Sequence, residues 1–286
     1  MEIIAVLKSA LTILIPILFA ATGGLFPALA GMLNISLEGL LLMGAFSSLA
    51  VFFHTGNIFL SAAAAVCAAM LLSVLHAFTV FKLRANVFIT GLAVNLLSSG
   101  LCIVLSDKFF NTRGVITAQF TGNSVLNSGD LTSWYLVIGL VFLVIVHISI
   151  YRTPFGYRLR ACDKNHEALS SLGLSPKTYR IAALLISGFF CGIGGSFLSL
   201  NLGVFVPGMA AGRGWIALVV IFLGGRKPFG LLAAVFIFAV AESLSNNAQG
   251  FLKIPADFIL VFPYILTLIA MIAVSVFPKK MGIDNK

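Results

Sequence analysis

Apolar runs of about 20 residues, the length a helix needs to cross the hydrocarbon core of a bilayer, follow one another along almost the whole chain. They cover Ile3–Thr22, Met32–Phe53, Ile58–Phe81, Val87–Leu105, Ser133–Tyr151, Ile181–Leu202, Arg213–Leu223, Phe229–Leu244 and Phe258–Phe277. Leu, Ala, Val and Phe are mixed with many Gly and Ser, and the strict alternation of a barrel strand is missing, so the expected spans are helices. Only 9% of the residues are charged, where a soluble domain carries about 25%. The expected fold class is all-α: one polytopic transmembrane helical bundle over residues 1–286, with about nine spans and eight to ten allowed. Residues 1–22 lack a basic leading region and a clear small-residue cleavage site, so they read as a retained first span.

The charges sort by side. Lys82 and Arg84 follow the third run, Arg152 to Arg180 the fifth, Arg226 and Lys227 the seventh, and Lys279, Lys280 and Lys286 the ninth. These loops hold 13 of the 18 Lys and Arg, and basic loops stay in the cytoplasm. The C-terminus is therefore expected inside. Topology explains most of the formal charge of +9 without a nucleic-acid partner. The opposite loops hold Lys108, Arg113, Arg213 and Lys253; the longest of them, 106–132, is rich in Asn, Ser, Thr and Gly. It is either a contact surface for an extracytoplasmic partner or, more commonly for such loops, simply solvated.

Two stretches leave the topology open. Arg213–Leu223 is about 17 Å long at 1.5 Å per residue, short for a full crossing. A re-entrant segment there would send every later loop to the other side and the basic tail outward, so the charge pattern favours a crossing. Ala20–Gly31 is uncharged and carries Gly23, Gly24, Pro27 and Gly31; it fits a turn, a half-helix or part of a broken span. Nine crossings place the N-terminus outside, and a tenth segment here reverses that. The short strings AAGRG at Ala210–Gly214 and LGGR at Leu223–Arg226 echo one another without making a repeat.

The loop 152–180 differs from everything around it. Eight of the 27 charged residues lie between Tyr151 and Arg180, with both signs present. Pro154 and Gly156 signal a turn. Asn165 is a candidate N-cap, Glu167 suits a first helical turn, and Gly173 suits the position just past a helix end. The segment is either an ordinary basic cytoplasmic loop or a short helix that docks a soluble partner.

Enzyme chemistry finds little support. There is no G-x-x-x-x-G-K-[ST] phosphate loop. CGIGGS at Cys191–Ser196 lies inside an apolar run, where helix packing is the better reading. His54, His76, His147 and His166 are scattered, and Cys67, Cys102, Cys162 and Cys191 show no metal spacing. The cysteines read as small packing residues. Polar groups within apolar runs are the remaining candidates: Asn34 and Glu38, four apart and on one face if the helix is continuous there, with Asn95 and Glu242. Each is either an interhelical clamp or part of a polar translocation path.

GMLNISLEGLLLMGAF at 31–46 resembles the G-x-x-N-[IL]-x-x-E-G-x-x-x-x-G-A motif of permease subunits of sugar and nucleoside ABC importers. RANVFITGLAVNLL, YRTPFGYRLRACDKNHEALSSLG and PGMAAGRGWIALVVIFLGGRKPFG follow in the family's order. The set is most similar to the shorter permease of basic-membrane-protein type nucleoside systems. Two departures stand out: Leu169 replaces a second Ala after Glu167-Ala168, and no charge lies between the first two spans. The resemblance implies a non-catalytic transport subunit of a bacterial cytoplasmic membrane that binds no cofactor or metal. Its implied partners are an ATPase subunit that uses the ATP, a second, longer permease and a substrate-binding lipoprotein. Asn34, Glu38 and Asn95 remain the path candidates from their polar setting, and the coupling segment that the resemblance implies places ATPase contact at Gly156, Arg158, Arg160, Glu167, Ala168 and Gly173. A ribose-type sugar permease is the alternative within the class. An ion-coupled secondary transporter is the alternative outside it, and it calls for inverted repeats and intramembrane charge pairs, neither of which the sequence shows. A membrane-embedded enzyme would need a clustered catalytic set, which is also missing.

Overall fold

The computed structural model describes residues 2–117 and 128–248. The expected ninth span, the side of the C-terminus and the middle of the outer polar loop lie outside them. Seven helices are long and apolar enough to cross a membrane: α1 (Glu2–Leu29), α2 (Leu37–Thr55), α3 (Ile58–Phe81), α4 (Val87–Phe110), α5 (Ser128–Arg152), α8 (Pro176–Leu202) and α10 (Pro228–Ala248). Two short helices, α6 (Pro154–Lys164) and α7 (His166–Ser171), form the charged loop, and α9 (Arg213–Leu223) is a half-length apolar helix. The chain is an integral multi-pass membrane protein.

The helices form two tiers. In the most apolar window of α1, α2 and α8, 83%, 61% and 67% of the residues are buried, against 28% in each of α3, α4 and α5. The first three are an inner group; the others turn residues such as Phe59, Leu71, Leu96 and Val141 outward, as lipid-facing helices do. The glycines of α8 explain how the inner group closes. A Cβ on Gly192 would collide with the Val66 backbone of α3, and one on Gly195 with the Leu41 carbonyl of α2. CGIGGS is thus a close-packing surface. Asn57 and Asn86 start α3 and α4 by accepting from the second and third backbone N–H groups beyond them.

Ala20–Gly31 is resolved as helix almost to its end. α1 runs through Gly23 and Gly24 because neighbours pack tightly there: Gly23 lies against Ser187 and Phe190 of α8, and Gly24 against Leu37 and Ile221. The chain breaks later, over 30–36. The expected span Met32–Phe53 therefore begins at Leu37, and Asn34 and Glu38 do not share a helical face: Asn34 lies in the break and Glu38 in the first turn of α2.

The half-helix α9 is half of a crossing. Before it, Val204–Phe205 (β2) pair antiparallel with Ile116–Thr117 (β1) of the polar loop after α4, Phe205 opposite Ile116. After it, Arg226 meets Asp163 of α6 at 3.3 Å. Helix α5 separates those two loops, so 204–226 runs from one end of the bundle to the other. Its upper part, 206–212, is a series of turns. Arg213 consequently opens α9 and does not sit in an outer loop as its place in the charge pattern suggested.

Candidate functional site

Two irregular stretches, 30–36 and 206–212, thus lie within a helical membrane domain. Non-helical backbone at membrane depth is tolerated only where its N–H and C=O groups are satisfied by protein or line a cavity. The polar residues singled out from sequence supply that satisfaction. Glu38 places one oxygen 2.8 Å from the Gly212 N–H and the other 2.7 Å from the Gly214 N–H, capping the orphan donors at the start of α9. Its carboxyl suits the positive end of a helix. A Cβ on Gly214 would overlap the Glu38 backbone, so only glycine lets α9 come this close to α2.

Asn95 of α4 holds the other flank. Its amide donates to the Ile35 carbonyl at 2.9 Å and accepts from the Gly39 N–H at 2.8 Å. Asn34 accepts from the Ser36 N–H and hydroxyl and donates to Ser187 at 2.8 Å. The Ser36 hydroxyl also lies 3.1 Å from His76 Nδ1. Asn34 is 1% exposed, whereas Glu38 and Asn95 are half-buried. The structure brings all three together around the start of α2.

Sequence reasoning missed the arginines that complete this region. Arg180 donates to the Ala30 carbonyl at 3.2 Å and to the Cys162 carbonyl at 3.1 Å. Arg213 pairs with Glu242 of α10 at 3.6 Å, each side chain 19% exposed. That pair corrects the expectation of no charge pairs between spans. The signal was present in the echo of AAGRG and LGGR: the two strings mark the two ends of α9, and each carries an arginine paired with an acid.

The charged loop 152–180 is a second candidate surface. The expected turn falls at Thr153, where α5 ends: Pro154 is the first residue of α6, and the N-cap Thr153 accepts from the Gly156 N–H. Gly156 is required because α6 packs onto the last carbonyls of α5 at Ser149 and Ile150. The expected helix after Asn165 is present as α7 and ends as anticipated. Gly173 has φ +74, its N–H donates to the Ser170 carbonyl, and the Leu174 N–H donates to the Leu169 carbonyl, the two bonds of a Schellman cap. Arg160 lies 5.0 Å from the ring centres of both Tyr151 and Tyr157. Arg158 reaches the Tyr179 hydroxyl at 3.3 Å. Between α6 and α7 runs a groove lined by Tyr157, Arg158, Ala161, Leu169, Leu172 and Leu174. Leu172 in its wall is 76% exposed, and Glu167 of α7 is exposed as well. Burial pushes the Cys162 thiol above its ordinary pKa.

No cluster of His, Cys, Asp and Glu suited to a metal occurs among the described residues. The family described as "Branched-chain amino acid transport system / permease component" matches residues 6–271. The chain is 29% identical to the guanosine ABC transporter permease NupQ of Bacillus subtilis, across 90% of this chain and 87% of that one. It is 28% identical to the nucleoside ABC transporter permease NupC of Lactococcus lactis, across 94% and 92%. A putative glucose ABC transporter permease, TsgC13 of Haloferax volcanii, is 29% identical across 82% and 74%.

Proposed function

Because the chain belongs to the permease-component family of branched-chain amino acid transport systems, we propose that it forms the membrane path of an ATP-driven nucleoside importer in a bacterial cytoplasmic membrane. The observation that carries the substrate class is the match to NupQ and NupC over nearly the whole length of each chain. ATP is hydrolysed by a partner ATPase that seats on α6 and α7, where the exposed Tyr157 and Leu172 line a groove and Glu167 is exposed on α7. A second permease and a substrate-binding lipoprotein complete the assembly. The solute passes beside the two breaks, where Glu38 and Asn95 are the half-buried polar groups, and Asn34 belongs to the scaffold. An uncharged solute rich in donors and acceptors needs such groups without a fixed deep charge that would hold it too tightly for release. Alternating access follows from ATP-driven movement of the Asp163–Gly173 segment.

TsgC13 favours a sugar as the second reading. Proteoliposomes of the assembled importer, loaded with ATP, should accumulate labelled nucleosides in competition assays and leave glucose and leucine outside. Accumulation of glucose in place of nucleosides would support the second reading. Uptake driven by an ion gradient without ATP would overturn the importer assignment itself.

A further inference from the structure

Arg226 is unusual for its backbone. It has φ +54 without being glycine, a conformation that costs an ordinary side chain roughly 1–2 kcal/mol. It follows Gly225, φ +64, in the turn that ends α9, where the Arg226 N–H donates to the Ile221 carbonyl at 3.0 Å. Its guanidinium lies 5.3 Å from the Phe222 ring centre and reaches Asp163 Oδ2 at 3.3 Å. Strained residues persist where the surroundings hold them, and they gather at working sites.

Asp163 is equally placed. It lies in the last turn of α6 and against Gly31, where a Cβ would meet its Oδ1 at 2.7 Å. Gly31 itself has φ +76. One carboxylate thus touches the α1–α2 break on one side and the α9–α10 turn on the other. In the bundle interior Glu38, in the first turn of α2 just after that break, caps the opposite end of α9. Helix α9 is therefore held at both ends by a carboxylate, one in the bundle and one on the cytoplasmic loop.

We propose that Asp163 and Arg226 are positioning residues for transport: their pair transmits movement of the cytoplasmic loop to α9, and through Glu38 to the break before α2. The inference rests on the importer reading, because it needs an ATPase to move α6. The pair is 43% and 36% exposed, and ion pairs so exposed add little to stability. A merely structural role would leave transport efficiency alone; the proposed one would not.

The test is a double-mutant cycle in proteoliposomes of the assembled importer, reading solute moved per ATP hydrolysed. Asp163→Asn and Arg226→Gln should each lower that ratio about five-fold or more, the lower range of ordinary coupling between sites. The double variant should be no worse than either single one. Arg226→Lys, which keeps the charge, should restore most of the ratio, and the thermal midpoint of all four should stay near that of the parent. Unchanged ratios in both single variants, or fully additive losses, would overturn the proposal while leaving the importer reading intact. A parent complex that moves no nucleoside at all would defeat both.

Discussion

A backbone N–H left without an acceptor in hydrocarbon costs several kcal/mol. Glu38 prevents that for two such groups at once, and Gln can do so for only one, because its amide nitrogen would face the other donor. Glu38→Gln is expected to destabilise the assembled complex by about 1–3 kcal/mol, the penalty of one buried unsatisfied group, and to reduce uptake per complex. Asn34→Ala should separate the two effects. Its partners keep other polar neighbours, Ser36 at His76 and Ser187 at Cys191, and interhelical bonds in membranes are worth about 0.6–2 kcal/mol, so stability should fall while uptake per complex holds. Thermal unfolding run beside uptake per purified complex checks both variants. Normal uptake by Glu38→Gln would remove this residue from the path.

At the scale of elements, the decisive object is the half-helix α9. Its position depends on Gly214, whose missing side chain lets it lie on Glu38. Gly214→Ala should cost about 1–3 kcal/mol by overpacking and displace α9 from α2, whereas Gly100→Ala, with nothing within 4 Å of the added atom, should be neutral or stabilising. Comparing the thermal midpoints of the two variants decides it; equal midpoints would mean that α9 does not depend on this contact. The apolar runs within the described residues, the charged loop 152–180, the Asn165–Gly173 helix and the packing glycines of α8 were all legible, because each rests on local composition or periodicity. The break at 30–36 was not. Asn34 and Glu38 keep a helical spacing, and what ends the helix is a set of distant partners: Asn95 on Ile35 and Gly39, and Arg180 on Ala30. Asn34, Glu38 and Asn95 were thus picked out as polar residues in apolar surroundings, while their work on the backbone depends on tertiary contacts that no spacing reveals. The Arg213–Glu242 pair was hidden for a similar reason, since only the turns over 206–212 bring Arg213 beside α10.

At the scale of the molecule, the polar features lie along one line. The polar loop after α4 is stitched to 204–205, that stretch leads to α9, and α9 ends on α6 beside the proposed ATPase surface. Glu167 is exposed at the far end of this line, so its replacement should spare folding and strike coupling. Glu167→Arg is expected to leave membrane yield and thermal stability at parental values and to abolish most ATP-dependent uptake, because charge reversal at a docked surface adds repulsion and desolvation cost. Co-purification of the ATPase at parental yield together with full uptake would show that the docking surface lies elsewhere.

The half-length of α9 also bears on how the protein is made. Eleven residues that open on an arginine and follow turns and a proline do not form a stretch that the insertion machinery accepts alone, which needs about 20 apolar residues. The segment must enter the bilayer as a follower, drawn in by neighbours already there. The carboxyl that receives its first N–H groups was synthesised 174 residues earlier, so the receptor for α9 exists before α9 leaves the ribosome. Biogenesis of the crossing is then a docking event within the membrane, and the order of the genetic message doubles as its assembly sequence.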